Sequence, residues 1–273
     1  MYSLKGKIAL VTGAAGAGGL GRAIALRLAQ EGADLVVNDL SEDKAPRRGL
    51  PYVAREIEAL GRSALPVYAD VSSAAQVEDM IRRTIEHFGR IDILVNNAAA
   101  SAGRDRVPVV ELDEDLFDLI LRVNVKGTFL CSRAAARAMI AQGEGGRIIN
   151  ISSTAGRRGY PRYAAYCTSK FAVRGFTQSL AQEVGPHGIT VNAICPGLVA
   201  TERIDDIAAA IAPLDFSVQE QRQTMIANAS AENPIGRMTE PGDVARMAAF
   251  LASDQAAFLT GMSYVVDGGG QMD

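Results

Sequence analysis

Lys7-Ile-Ala-Leu-Val11 is an apolar run short enough for one buried strand, and Thr12-Gly-Ala-Ala-Gly-Ala-Gly-Gly-Leu-Gly21 follows it without a break. Helical spacing begins at Arg22, continues to Gln30 and stops at Glu31-Gly32. Strand, glycine loop and helix in immediate succession leave few folds open. Five glycines in ten residues bare the backbone amides beside the positive end of a helix, where any Cβ would hold a phosphate away. The stretch is predicted to be the phosphate-binding turn of a dinucleotide fold.

The same alternation continues down the chain. Strands are expected at 34–38, 64–69, 91–95, 146–151, 188–194 and 263–266, and helices at 52–60, 74–88, 113–140 and 163–183, with a polar, proline-containing loop at 41–51. Short connections between strand and helix imply right-handed crossovers. The predicted fold is α/β: a Rossmann-type, doubly wound parallel sheet of about seven strands with helices on both faces, a three-layer sandwich. At 273 residues, 48% hydrophobic and without a linker, repeat or low-complexity run, the chain is expected to be a single domain spanning 1–273.

Ligands bind such sheets outside the carboxyl ends of the strands. Asp39 ends the second strand, eighteen residues beyond Gly21, where a carboxylate takes both hydroxyls of an adenosine ribose. A 2'-phosphate would face a like charge there, and Leu40 supplies no cation. NAD is therefore favoured over NADP, with Arg22 and Lys44 as the residues able to reverse that preference. Asp70 and Val71 end the third strand, suited to the adenine amino group and the adenine ring. Asn96-Asn97-Ala98-Ala99 leaves the fourth strand, Ser152-Ser153 the fifth and Cys195-Pro196-Gly197 the sixth. Asn124, polar among apolar neighbours, reads on its own equally well as a hydrogen-bonded core residue.

Tyr166 and Lys170 stand four apart in the segment of helical spacing and project from one face. Moving a phenol from pKa ~10 to neutrality takes roughly 4 kcal/mol. One cation at about 4 Å, at an effective dielectric of ~20, supplies that amount. Four residues on from Tyr160 and Tyr163 lie only Ala164 and Cys167, so Tyr166 is expected to be the tyrosine with the charge. The pair alone also fits an ordinary solvated helix face, and the surrounding motifs decide.

A net charge of -3 with scattered basic residues offers no field for nucleic acid. Residues 1–11 carry only a short apolar run, so neither a signal peptide nor a membrane span is expected, and the location is predicted to be cytoplasmic. Cys131, Cys167 and Cys195 have no metal-ligand spacing, and their odd number argues against a disulfide framework. No metal is predicted. His87 and His187 each stand at an expected helix end.

The order of these motifs resembles the short-chain dehydrogenase/reductase superfamily in its compact single-domain branch. The likeness rests on Thr12-Gly13 with Gly19-Leu20-Gly21, Asp39, Asp70-Val71, Asn96-Asn97-Ala98, Asn124, Ser153, Tyr166-x-x-x-Lys170, Pro196-Gly197 with Thr201, and Val266-Asp267-Gly268-Gly269. Two departures stand out. Five residues separate Gly13 from Gly19 where the family usually has three, and Ala99 replaces a usual glycine.

The resemblance implies cofactor contacts from Gly13, Gly19, Leu20, Gly21, Asp39, Asp70, Val71, Asn97, Ala98, Tyr166, Lys170, Pro196, Gly197, Val199 and Thr201. It implies a catalytic set of Asn124, Ser153, Tyr166 and Lys170. In that scheme Tyr166 exchanges the substrate proton, Ser153 hydrogen-bonds the same oxygen, Lys170 lowers the tyrosine pKa and holds the nicotinamide ribose, and Asn124 holds a water linking Lys170 to solvent. Residues 202–236 resemble the family's substrate lid, and their apolar face suggests a partly hydrophobic ketone or secondary alcohol. Arg157, Arg158 and Arg162 read better as a solvated loop than as an anion site.

The implied activity is an NAD-dependent interconversion of a secondary alcohol and a ketone, with a homotetramer expected from the family. An NADP-dependent 3-oxoacyl thioester reductase fits Asp39 less well. A non-catalytic NAD-sensing regulator would have no use for a filled catalytic set, and an extended-branch epimerase would need a larger C-terminal domain.

Overall fold

In a computed structural model describing residues 2–40, 49–213 and 215–272, seven strands form one sheet in the order β3-β2-β1-β4-β5-β6-β7, every neighbouring pair parallel. The strands are β1 (Ile8–Thr12), β2 (Asp34–Asp39), β3 (Ala64–Tyr68), β4 (Ile93–Asn96), β5 (Gly146–Ile151), β6 (Ile189–Pro196) and β7 (Ser263–Val266). The helices are α1 (Leu20–Gln30), α2 (Leu50–Ala59), α3 (Ala74–Phe88), α4 (Glu114–Leu121), α5 (Gly127–Gln142), α6 (Ala164–Val184), α7 (Arg203–Ile211), α8 (Val218–Ala231) and α9 (Pro241–Ala252). The predicted doubly wound architecture is the observed one.

Apolar side chains cover both faces of the sheet. Ile24 and Leu28 of α1, Val53 and Ile57 of α2, and Val244 and Ala248 of α9 close one face over Val11, Leu35 and Ile149. Val77 and Met80 of α3, Leu130 and Ala135 of α5, and Leu180 of α6 close the other over Leu10, Val36 and Ile148. A strand covered on both sides reads as an unbroken apolar run, which is why β1 and β4 were legible. Between β1 and β4 the order of connection reverses, and the cleft opens there.

Three differences from expectation have physical reasons. The helix expected over 113–140 is interrupted by a π-helical turn at Arg122–Lys126, which contains Asn124. Helix α2 starts at Leu50 because Pro51, placed in the predicted loop, occupies the first turn, where its missing N–H costs nothing. The rest of that loop, residues 41–48 with Lys44, lies outside the described residues. Helix α9, not anticipated, begins with a capping box between Glu240 and Asp243 and with Pro241 in its first turn.

Buried polar side chains tie the strand ends together. Asn96 Nδ2 donates to Asn150 Oδ1 and Ser132 Oγ, both at 2.8 Å, and Asn150 Nδ2 donates to Thr177 Oγ1 at 2.8 Å. This chain joins β4, β5, α5 and α6, the elements that deliver the residues of the site.

Candidate active site

A cavity of about 1120 Å³ runs along the carboxyl edge of the sheet, from the glycine loop past Asp39 and Asp70 to Ser153, Tyr166 and the helices α7 and α8. Pockets for one small molecule are roughly 300–1,000 Å³, so this one has room for a dinucleotide and a substrate together.

At its first end Gly19 caps α1 with no side chain on the first-turn amides, and Gly13, Gly19 and Leu20 line the wall. Free amides at a helix N-terminus suit a diphosphate. Gly21 stands behind that wall. A Cβ on it would lie 2.3 Å from the Gly13 carbonyl oxygen and 2.5 Å from Asn97 Nδ2, so here glycine serves close packing. Asp39 accepts from the Ala15 amide at 2.9 Å and the Leu40 amide at 2.8 Å, which fixes its carboxylate at the cleft. Each oxygen keeps a further acceptor site. Arg22, one of the two residues that could have favoured a 2'-phosphate, is held instead by Glu56, with Nε donating at 2.7 Å, and it stacks on Tyr52.

Asp70 accepts from the Ser72 amide at 2.8 Å, and Val71 lines the cavity. Behind Val71 stands Gly127, whose Cβ would come within 2.9 Å of Val71 Cγ2. The floor is tied to β1 by Thr12, whose hydroxyl accepts from the Asn97 and Ala98 amides at 3.0 Å each. Asn97 Nδ2 donates to the Thr12 and Gly13 carbonyls, both at 2.9 Å. Ala98, Ala99, Pro196, Gly197, Val199 and Thr201 complete this wall. Gly197 has no Cβ because Asp267 Cβ would lie 2.8 Å away.

Strand β5 and helix α6 bring Ser153, Tyr166 and Lys170 together. Lys170 is 4% exposed; its ammonium donates to the Ile151 carbonyl at 2.8 Å and lies 5.7 Å from the centre of the Tyr166 ring. Burial raises the Tyr166 pKa, but Lys170, Arg203, a hydrogen bond with Ser153 and Arg106 outweigh it, and the phenol ends below its ordinary value. Burial likewise lowers the Lys170 pKa, against the pull of Tyr166. Both shifts have the direction that proton exchange near neutrality requires.

Asn124 is buried, and both ends of its amide are engaged. Its Oδ1 accepts from the Ala100 amide at 2.9 Å and its Nδ2 donates to Ser169 Oγ at 3.0 Å, so it braces the loop after β4 against α6. Among the described contacts the Asn124 side chain does not touch Lys170. It and Gly21 are the two expected site residues that do not line the cavity.

Two guanidinium groups complete the surroundings of Tyr166, and the sequence reading missed both. Arg106 is 1% exposed, paired with buried Asp105, and stacked 3.9 Å from the Tyr163 ring centre and 4.8 Å from that of Tyr166. Arg203, at the start of α7, lies 5.5 Å from the Tyr166 ring centre and donates to the Ala100 carbonyl at 2.9 Å. The expectation that only Tyr166 has a cation beside it is corrected by these contacts. Tyr163 has Arg106, and Tyr160 has Arg158 at 4.8 Å. Burial nevertheless pushes the Tyr163 pKa up in spite of Arg106. No local pattern signals either arginine, because each reaches Tyr166 from a distant part of the chain.

Of the three arginines read as a solvated loop, Arg158 is exposed and donates to Tyr160 Oη at 2.8 Å. Arg162 has a left-handed backbone, φ 67°, and its Nε donates to the Arg106 carbonyl at 2.9 Å. That bond holds the segment before α6 to the Arg106 turn and offsets an unfavourable conformation. Segment 202–236 forms α7 and α8, and Ile204, Ile207, Ile211 and Met225 face the cavity. Cys131, Cys167 and Cys195 are all buried and free, with the Cys131 thiol pushed up by burial to about 12. Among the described residues no group of three His, Cys, Asp or Glu could hold a metal, and no helix is long and apolar enough to cross a membrane.

A family model described as enoyl-(acyl carrier protein) reductase matches residues 13–271. A short-chain dehydrogenase/reductase of Armillaria gallica is 43% identical over 266 residues, covering 97% of this chain and 96% of that protein. Sorbitol dehydrogenase of Cereibacter sphaeroides is 39% identical over 269 residues, covering 98% and 99%. The crystal structure of a short-chain type dehydrogenase/reductase from Mycobacterium marinum superposes with a TM-score of 0.84 at 35% identity, covering 99% of this chain and 98% of that one.

Proposed function

Because this chain belongs to the short-chain dehydrogenase/reductase superfamily, and is an oxidoreductase acting on CH–OH groups, we propose that it interconverts a secondary alcohol and a ketone with NAD and with Tyr166 as general acid and base. The observation that carries the reading is the position of Tyr166: a phenol made more acidic than usual, lining the same cavity as the capless helix N-terminus and Asp39.

The residues present fit the dinucleotide. The amides of Gly13, Gly19 and Leu20 would hold the diphosphate, Asp39 the adenosine ribose, and Asp70 and Val71 the adenine. Asn97, Ala98, Pro196, Gly197, Val199 and Thr201 would line the nicotinamide half, and Tyr166 and Lys170 its ribose. When bound there, the dinucleotide would supply the hydride acceptor for alcohol oxidation and, reduced, the hydride donor for ketone reduction. NAD is preferred to NADP because Asp39 is charged, Leu40 is 65% exposed and apolar, and Arg22 is committed to Glu56.

In oxidation the phenolate oxygen of Tyr166 accepts the proton of the substrate hydroxyl; in reduction the phenol returns it to the ketone oxygen. Ser153 hydrogen-bonds the same substrate oxygen and fixes its distance from Tyr166. Lys170 keeps one donor on Ile151 and has two more for the phenol and the ribose. Asn124 keeps α6 and the loop after β4 in register, a positioning role that stands beside the water-holding role expected for it. Helices α7 and α8 act as a lid that keeps water from the reacting carbon. The chain is further proposed to act as a homotetramer, since Phe129 and Phe171 on α5 and α6 and Phe258 and Met262 beside β7 are exposed.

Tyr166→Phe tests the reading. NAD affinity measured by fluorescence titration is expected to stay close to that of the parent, while turnover of any accepted alcohol falls by about 10²–10⁴. Retained turnover would refute the assignment.

A further inference from the structure

The two ends of the cavity differ in charge. At the adenosine end Asp39 and Asp70 line it, whereas elsewhere the cations Arg104, Arg106, Arg158, Lys170 and Arg203 outnumber the carboxylates Glu202, Glu232 and Asp267, and Arg106, Lys170 and Arg203 lie close to the Tyr166 ring. Their situations differ too. Arg106 is sealed against Asp105, Lys170 is buried beneath Tyr166, and Arg104 and Arg158 are exposed at the rim. Arg203 alone among them is half-buried, over the face of Tyr166, and has no carboxylate partner among the described residues. The nearest acid on its own helix that makes an ion pair, Asp205, is turned to Arg222 at 2.7 Å.

The Ala100 carbonyl takes one N–H of Arg203 at 2.9 Å and fixes the guanidinium over the reacting group. A guanidinium has five donors, so most remain for a ligand. The cavity lining from 116–123 and from α7 and α8 is largely apolar, with Leu116, Val123, Ile204, Ile207, Ile211 and Met225, and it also carries Gln221, Asn228 and Glu232. A positive fork set in an apolar wall matches a carboxylate on a hydrophobic body, and in such surroundings the bidentate pair is both strong and directional.

We propose that the substrate is a hydroxy acid or oxo acid with an apolar chain, and that Arg203 receives its carboxylate while Tyr166 handles the reacting oxygen. This rests on the dehydrogenase reading above. Arg106, too enclosed to meet the substrate, is a positioning residue: its guanidinium packs on Tyr163 and Tyr166 and holds their rings in place.

The test compares straight-chain 3-hydroxy acids of six to ten carbons with their methyl esters, which keep the alcohol and lose the charge. The parent enzyme is expected to favour the acid in kcat/KM by about tenfold or more, a difference of about 1.4 kcal/mol. Arg203→Met removes that preference, and Arg203→Lys keeps part of it. Because Arg203 also acidifies Tyr166, rates on every substrate change in the variants, and the acid-to-ester ratio is the quantity that reports the proposal.

A binding measurement needs no turnover. Calorimetric titration of the enzyme–NADH complex with hexanoate and with hexanamide is expected to give the carboxylate at least about tenfold tighter binding, lost in Arg203→Met. NADH is chosen because its ring is neutral and cannot itself attract the anion.

Three results overturn the proposal. They are a parent that prefers esters or hexanamide, an Arg203→Met variant that keeps the parent's acid-to-ester ratio, and one whose main change is weaker NADH binding. The second, with both rates reduced, would make Arg203 a lid latch, and the third would move it to the cofactor. Turnover of esters but not acids sinks this inference and leaves the dehydrogenase reading intact; loss of NADH binding and turnover by the parent itself would sink the latter.

Discussion

Replacing Lys170 by methionine removes one positive charge from beneath Tyr166 while keeping an unbranched apolar stem. With the ammonium 5.7 Å from the ring centre, a unit charge at an effective dielectric of ~20 is worth about 3 kcal/mol to the phenolate, or about two pH units. Arg106 and Arg203 remain at 4.8 and 5.5 Å from the same point, so the phenol keeps part of its acidity. The folded phenol lies below its ordinary pKa, and in the proposed mechanism oxidation uses the deprotonated form. Oxidation therefore rises as pH climbs through that pKa, and the variant needs a higher pH to reach the same fraction of phenolate.

The assay is kcat/KM for a secondary alcohol against pH at saturating NAD, with the acid limb of the variant expected about two units above that of the parent. Below both limbs the variant is then about 100-fold slower at a given pH. Reduction changes in the opposite sense, since the protonated phenol survives to higher pH. The Ile151 carbonyl also loses its donor, which costs about 1–3 kcal/mol of stability and is measured separately by urea unfolding. An acid limb that moves by less than about half a unit, in a folded variant that still turns over, would refute Lys170 as the main source of the phenol's acidity.

Two further outcomes are expected. Asp39→Asn keeps an acceptor for the Ala15 and Leu40 amides but removes the charge, so the NADP-to-NAD ratio of kcat/KM should rise about tenfold or more; an unchanged ratio would mean that another group sets cofactor choice. Light scattering should give the mass of four chains, and Phe171→Asp, which places a charge on the exposed face of α6, should lower it; a monomeric parent would contradict the assembly.

Most of the fold was legible because its signals are local. Each glycine-rich or polar turn follows its strand within a few residues, and strands covered on both faces announce themselves as apolar runs. The first turn of α9 is equally local, with Glu240, Pro241 and Asp243 in place to start a helix. The break between α4 and α5 was different. Residues 113–140 have continuous helical spacing, and the π turn coincides with Asn124 bonding to Ala100 on one side and Ser169 on the other. Those partners come from the loop after β4 and from α6, so the interruption is a tertiary event without a local pattern.

The site divides along the same line. Tyr166 and Lys170 are one helical turn apart, so their coupling follows from helix geometry alone. Arg106 and Arg203 reach the same ring from a turn after β4 and from the start of α7, and nothing in their own neighbourhoods points to a tyrosine. Yet they act through the same physics. A phenol in a partly apolar cavity is penalised for ionising, and every cation held near it reduces that penalty. Lys170 is buried and bonded to the sheet, whereas Arg203 is half-buried at the start of α7 and is anchored by one carbonyl.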